Sequence, residues 1–365
     1  MAGNTFQTGG PKAASRSAAA TGNGTAVSEK EDLANFISMI SRDETPFISS
    51  IGKTKATAVL HEWQTDELAV PVAGAQAEGV SYSTVNAAQV AEIYRTRLAN
   101  YTQINSKTVT VTGTKRAVDQ AGVADEYAYQ LKKRGTELMR DVEYDAVSYQ
   151  NSNGAGTRTM GGYFSWINYP TSASGTFLDA KASGTYVAPT NPGGGVSGTY
   201  SAASVGSSLT LSHADQVMQA VYEQGGKATR LMLSPANRRV FSAKAQLGGS
   251  TTSNPGDGNV RRNVDLDGKL RQSVEIYMSD FGDIMVVPNY IMGIARTLTN
   301  VAQGAANWTA MVYDPSWWSI ASLRPLQEVD LGQLGDSIIG QIIQEVTLEC
   351  RNPKGSGAIT GLTGA

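Results

Sequence analysis

The sequence predicts an α+β chain, and three observations carry that reading. A proline-free stretch from Asp119 to Gln150 repeats apolar or small residues every three or four positions, the spacing of one helix face. Before it, residues 57–112 read as two long strands. After it, residues 212–323 alternate helical and strand patterns, as a module with its own core would.

The totals set the limits. A chain of 365 residues has room for two or three domains. Glycine is abundant at 39 residues and charge is sparse at 17%, so much of the chain is expected in loops, arms or insertions. A net charge of −2 argues against a dedicated nucleic-acid binder, which normally shows a basic balance. The single cysteine, Cys350, excludes an internal disulfide and any multi-cysteine zinc site. Residues 1–20 lack the apolar core of a signal peptide, and no later run approaches a membrane span, so a soluble chain without a membrane role is expected.

Residues 1–28 are small and polar, too poor in apolar surface to fold alone, and read as a flexible arm. Order is expected from Ser28, which stands three residues before Glu31 in capping-box spacing. Leu33, Phe36, Ile37 and Ile40 then make the stripe of a short helix that Pro46 stops, before the apolar patch Phe47, Ile48 and Ile51. Gly52-Lys53-Thr54 lacks the upstream glycine of a phosphate loop, since position 47 is Phe.

Residues 57–112 read as one long hairpin: out from Ala58 to Leu68, a tip around Pro71 to Gly79, and back from Val90 to Val111. From Glu92 to Tyr101 neither face of the return strand is a proper core face. An isolated two-stranded hairpin is marginal in water, so this arm is expected to lie on another subunit, with folding back on its own domain as the alternative. The candidate contact residues there are Glu62, Trp63, Asp66, Tyr94, Arg95, Arg97 and Tyr101.

The periodic stretch Asp119–Gln150 would make a helix of roughly 48 Å at about 1.5 Å per residue, long enough to act as a spine. Asp119 or Asp125 is the expected cap. Gly135 is placed on its packed face, where Gly135→Leu would overpack it. Lys132, Lys133 and Arg134 form a basic mid-section, either a solvated face or a subunit contact.

Composition changes sharply after the helix. Eleven glycines fall between Asn151 and Thr210, with Tyr163, Phe164, Trp166, Tyr169, Phe177, Tyr186 and Tyr200 among them. A surface-exposed, β-rich insertion is expected, packing on itself or, alternatively, stacking aromatics on carbohydrate. In the 212–323 module, Ser212–Gln224 and Pro235–Gln246 are helices, and strands begin at Arg230, Val274, Gly282, Trp308 and Trp317. Gly340–Cys350 reads as a half-buried strand that packs beside the long helix, and the glycine-rich tail from Lys354 is expected to fray.

No catalytic constellation is legible. His61 and His213 have no ligand-spaced partner, no Gly-x-Ser-x-Gly is present, and Asp265-Leu266-Asp267-Gly268 lacks the rest of a calcium ladder. No enzyme, cofactor or metal is expected.

Arm, hairpin, long helix, α/β module and returning strand occur in the order of the Hong Kong 97-type fold of tailed-phage major capsid proteins. The local wording is closer still. Residues Glu31 to Ile40, Glu44-Thr45-Pro46-Phe47-Ile48-Ser49-Ser50-Ile51-Gly52 and His61-Glu62-Trp63-Gln64-Thr65-Asp66-Glu67-Leu68 resemble the start of the SU-ten-type phage major capsid family. The resemblance implies a domain plan. Residues 1–28 would be a flexible N-terminal arm, 29–56 the N-arm helix and start of a peripheral domain, and 57–112 the E-loop. Residues 113–151 would be the spine helix, 152–211 a Gly-rich insertion, 212–323 the axial domain, 324–352 return strands of the peripheral domain and 353–365 a tail.

It also implies a structural role, as hexamers and pentamers of an icosahedral head around double-stranded DNA. Scaffolding protein, portal and a decoration or cement protein would be partners, DNA would be held without sequence-specific binding, and assembly would occur in the host cytoplasm. Some relatives join subunits covalently through a lysine and an asparagine; Lys53, Lys55, Lys107 and Asn352 are of the right type only, and no crosslink is expected. The alternatives are an encapsulin-like nanocompartment shell, or another virion protein of tail or decoration type.

Overall fold

The computed structural model describes residues 42–66, 68, 71, 73, 75, 78–79, 95–118, 122–148, 150, 152–167, 209–223, 225–246, 274–293 and 310–359. Residues 1–38 and 119–124 form one unit, of which only 122–124 are described; residues 39–118 and 125–365 form the other, which holds every element below. The expected helix from Ser28 lies outside the described residues, as do most of the hairpin tip and residues 168–208.

A four-stranded sheet is built on a long hairpin. Strands β9 (Trp318–Leu334) and β10 (Ser337–Cys350) run antiparallel through a turn at Gly335, whose φ of 66° lies in the left-handed region that glycine enters without strain. β4 (Gln103–Thr112) pairs antiparallel with the far side of β10, from Val346↔Gln103 to Ser337↔Thr112. β1 (Gly52–Lys55) pairs parallel with the start of β9, from Gly52↔Ser319 to Lys55↔Ser322.

Helix α3 (Glu126–Ala146) lies against β4 and β10, burying Leu138, Val142 and Ala146. Asp125 caps it by accepting from Tyr127 N at 2.9 Å. This helix is shorter than the expected Asp119–Gln150, about 31 Å at 1.5 Å per residue. Gly122, at φ 81°, is left-handed, so helical geometry cannot run through it, and the chain turns at Val147 and Ser148. Gly135 is not packed as expected: a Cβ there would meet nothing within 4 Å.

The hairpin is likewise shorter. β2 (Leu60–Thr65) pairs with β3 (Thr96–Tyr101), from Leu60↔Tyr101 to Thr65↔Thr96. Residues 103–112 do not return along it but cross into the four-stranded sheet as β4. Thr102 is the break, its N–H donating to Val59 O at 2.9 Å. Beyond it Asn105, Val109 and Val111 are buried, a core face that the alternation up to Tyr101 did not show.

A five-stranded sheet takes the order β11-β8-β5-β7-β6, from β5 (Arg230–Leu233), β6 (Ile276–Ser279), β7 (Gly282–Pro288), β8 (Ala310–Tyr313) and β11 (Gly357–Ile359). α5 (Leu211–Glu223) and α6 (Pro235–Gln246) cover one face, where Val217, Val221 and Phe241 join Leu231, Leu233, Val286 and Val312. The other face, with Met232, Met311 and Tyr313, meets Phe47, Val142, Tyr163, Trp166, Trp318 and Leu348 in a second core shared with the four-stranded sheet. Alternation along each strand sends neighbouring side chains into the two cores.

Pro46 starts α1 (Pro46–Ser50), sitting at the first helical position where its missing N–H is harmless, so the expected apolar patch at Phe47 and Ile48 is a short helix. Three further expectations are corrected. The start of the supposed exposed insertion is core: α4 (Tyr163–Trp166) places Tyr163, Phe164 and Trp166 at 0%, 2% and 1% exposure. Strand Trp318 belongs to β9 and not to the α/β module, which instead recruits the supposed frayed tail as β11. Ser356 accepts from Trp318 Nε1 at 2.9 Å, and Ala358 and Ile359 are fully buried, which explains why the tail is fixed. Finally, β10 is buried on both faces from Gln344 to Cys350, because Glu345 and Glu349 are partnered. The remaining short helix, α2 (Gly113–Ala117), joins β4 towards α3 and is capped by Thr112.

Candidate functional site

The candidate site is a surface, the hairpin stem of β2 and β3 with the exposed turns of α3. The stem is riveted to the end of β10. Trp63 Nε1 donates to Cys350 O at 2.8 Å, and its ring lies 5.3 Å from that of Trp166. Asn100, fully buried on β3, donates to Leu348 O at 2.7 Å and to Gly161 O at 3.3 Å, and accepts from Gly161 N at 2.9 Å.

Two buried acids on β10 complete the attachment. Glu349 accepts from Thr54 and Ser319 at 3.0 and 2.9 Å, lies 2.9 Å from Arg351 and 3.4 Å from His61. Burial works against its ionisation, but these donors outweigh it and hold the carboxyl at about 2. Glu345 is bound by Arg158 and Arg324, each at 2.8 Å, and by Thr102 at 2.8 Å; burial raises it, and these partners bring it below the usual carboxylate range. A third acid, Glu143 on α3, accepts from Phe47 N, Ile48 N and Asn289 Nδ2 at 2.9, 2.8 and 2.7 Å. Burial pushes its carboxyl up, and the three donors oppose that.

The predicted contact residues therefore divide. Glu62 and Asp66 are exposed but pair with arginines across their own hairpin, Glu62 diagonally with Arg97 at 3.6 Å and Asp66 with Arg95 at 3.4 Å. Such exposed pairs are worth at most about 1 kcal/mol. Trp63 is half-buried against the subunit's own core, which makes it a fastener of the stem. Tyr101 is half-buried, its ring filling the place a Cβ on Gly154 would take. Lys132 and Lys133 are exposed, while Arg134 is bound to Glu137 at 2.6 Å. Tyr94 lies outside the described residues. Of the crosslink types, Lys107 is held by Asp141 at 2.5 Å and Asn352 caps the turn at Gly355, leaving Lys53 and Lys55 exposed. Sequence reasoning missed Asn100, Glu143, Glu345 and Glu349; the only signal was acids at inward or strand-interior positions, which by itself does not reveal a partner.

Among the described residues no group of three or more His, Cys, Asp or Glu side chains is placed to hold a metal, and no helix is long and apolar enough to cross a membrane. A family model described as the SU10 major capsid protein matches residues 14–363. The chain belongs to that family. Its members are structural capsid proteins and not enzymes. The major capsid protein of Escherichia phage Phieco32 is 26% identical over 364 residues, covering 91% of this chain and 94% of that protein.

Solved capsids share the fold. The capsid of a native GTA particle matches with a TM-score of 0.54 at 12% identity, covering 93% of this chain and 97% of its own. The capsid of Myoviridae phage XM1 matches at 0.52 and 13%, covering 91% and 97%, and the mature capsid of bacteriophage PhiM1 at 0.52 and 11%, covering 91% of each. The α+β architecture is thus the Hong Kong 97-type phage capsid fold. The protein is a phage major capsid protein, located in the virion capsid, and it assembles with itself into the shell.

Proposed function

We propose that this major capsid protein tiles, as hexamers and pentamers, the icosahedral head of a tailed phage and encloses its double-stranded DNA. The observation that carries the reading is the family match over 14–363, joined to a fold shared with solved capsids across nine-tenths of the chain. The net charge of −2 suits a wall that surrounds DNA without gripping it by sequence. Scaffolding protein, portal and a decoration protein are the proposed partners, with assembly in the host cytoplasm.

Within this reading, the part of 57–112 that extends beyond the β2–β3 stem is the E-loop, α3 the spine helix, the four-stranded sheet the peripheral domain and the five-stranded sheet the axial domain. A hairpin stem fastened at its base by Trp63 and Asn100 is fit to project a loop towards a neighbour. Expression of the protein followed by light scattering and negative-stain microscopy tests the reading. Closed shells with hexameric and pentameric units are the expected result; open sheets or tubes alone, even with scaffolding protein supplied, would overturn it.

A further inference from the structure

The pairing of β1 with β9 ends at Ser322, and from Leu323 to Leu334 no described strand lies beside the outer edge of β9. Free N–H and C=O groups on such an edge recruit cover. The side chains there are unusual for solvent: Leu326, Val329 and Leu331 are 45%, 36% and 54% exposed. Beyond Arg324, which is spent on Glu345, charge on this hairpin has one sign. Residues 325–344 contain Glu328, Asp330 and Asp336 and no lysine or arginine. Glu328 accepts from the Tyr127 hydroxyl at 2.7 Å and Asp330 from Gly332 N at 2.8 Å, so both carboxylates are held in place by neutral donors.

The complementary charge stands on α3. Lys132 and Lys133 are exposed as neighbours on one turn, and among the described residues neither makes an ion pair; Lys133 acts on Glu126 only through space. Since the shell is built from copies of this chain, each copy presents an acidic, leucine-bearing edge and an unspent basic helix turn. We propose that the free edge of β9 docks on α3 of a second copy, with Glu328 and Asp330 against Lys132 and Lys133. The aliphatic stems of the lysines cover Leu326, which shares a strand face with Glu328 and Asp330, a use to which long basic side chains are suited. The contact is head-to-tail, because the two surfaces belong to different elements of each subunit.

The inference rests on the capsid reading, and charge exchange tests it. Glu328→Lys with Asp330→Lys, and separately Lys132→Glu with Lys133→Glu, should each lower the yield of sedimenting shells about tenfold or more. The circular dichroism and melting temperature of the unassembled subunit should stay unchanged in both. Combining all four substitutions should restore the yield to within about threefold of wild type. Single-side variants that assemble normally, or a combined variant no better than either, would overturn the proposal. So would protection from hydrogen exchange, in the unassembled wild-type subunit, of those 323–334 amides that point away from β10, since a segment of the same chain would then cover the edge. Self-association at low salt, followed by sedimentation velocity, reads the same exchange before any shell closes. A failure of shell geometry is therefore distinguishable from a failure of this contact.

Discussion

Trp63 and Cys350 are 287 positions apart in sequence, yet the indole N–H of one donates to the backbone carbonyl of the other at 2.8 Å. This bond ties the β2–β3 stem to the last residue of β10, an inner strand of the four-stranded sheet. Trp63→Phe keeps a ring against Trp166 but orphans the Cys350 carbonyl. A loss of about 1–2 kcal/mol is expected in denaturant unfolding of the unassembled subunit. Trp63→Ala should cost about 3 kcal/mol or more and speed proteolysis within 60–101. Unchanged unfolding in both would show that the stem is held elsewhere.

Glu349 makes stability depend on pH. Its carboxyl is held at about 2 in the folded chain, against about 4.3 when unfolded. A depressed value contributes stability that is fully present above the unfolded value and lost as pH falls through the folded one. Between about pH 5 and pH 2 wild type should lose about 3 kcal/mol from this group. Glu349→Gln should be less stable at pH 7 and show a shallower decline over that window, measured by melting temperature against pH.

Glu143 joins three parts of the subunit with one carboxylate. Glutamine at that position supplies one acceptor oxygen where three N–H donors converge, and turns an amide donor toward at least one of them. Glu143→Gln should destabilise the subunit by about 2–4 kcal/mol. Amide exchange at Phe47 and Ile48 should rise with it, which a general loss of helix α3 packing would not single out.

Two glycines should respond in opposite directions. A Cβ on Gly162 would fall 2.3 Å from Ser148 O and 2.7 Å from Asp145 O, both backbone, so Gly162→Ala should cost about 2–3 kcal/mol. Gly135 has open space on a helix, and Gly135→Ala should stabilise by about 1 kcal/mol. Thermal melts of the two variants decide both, and the first also tests whether residues 160–167 belong to the core.

What the sequence made legible was periodicity. The helix through Leu138, Val142 and Ala146, the strands at Arg230 and Gly282 and the two helices around them follow from repeated spacing. Family wording in 31–68 carried the function. What it hid depended on distant partners. The aromatics Tyr163 and Trp166 looked like an insertion because glycine surrounds them, yet Gly162 is required there by the close pass of the Ser148 carbonyl. The run Gly357–Ile359 is too short to show a period, and only β8 gives it a place. Among the contact residues, charge pairing within the stem could not be read without the register that brings Arg97 beside Glu62.

The strand pairings have a consequence for synthesis. β4 finds its partner in β10 and β1 in β9, so the four-stranded sheet waits for residues made more than two hundred positions later. Such long-range closure is slow to nucleate. The four-stranded sheet, and with it the floor on which α3 packs, therefore closes only once β9 and β10 have been made.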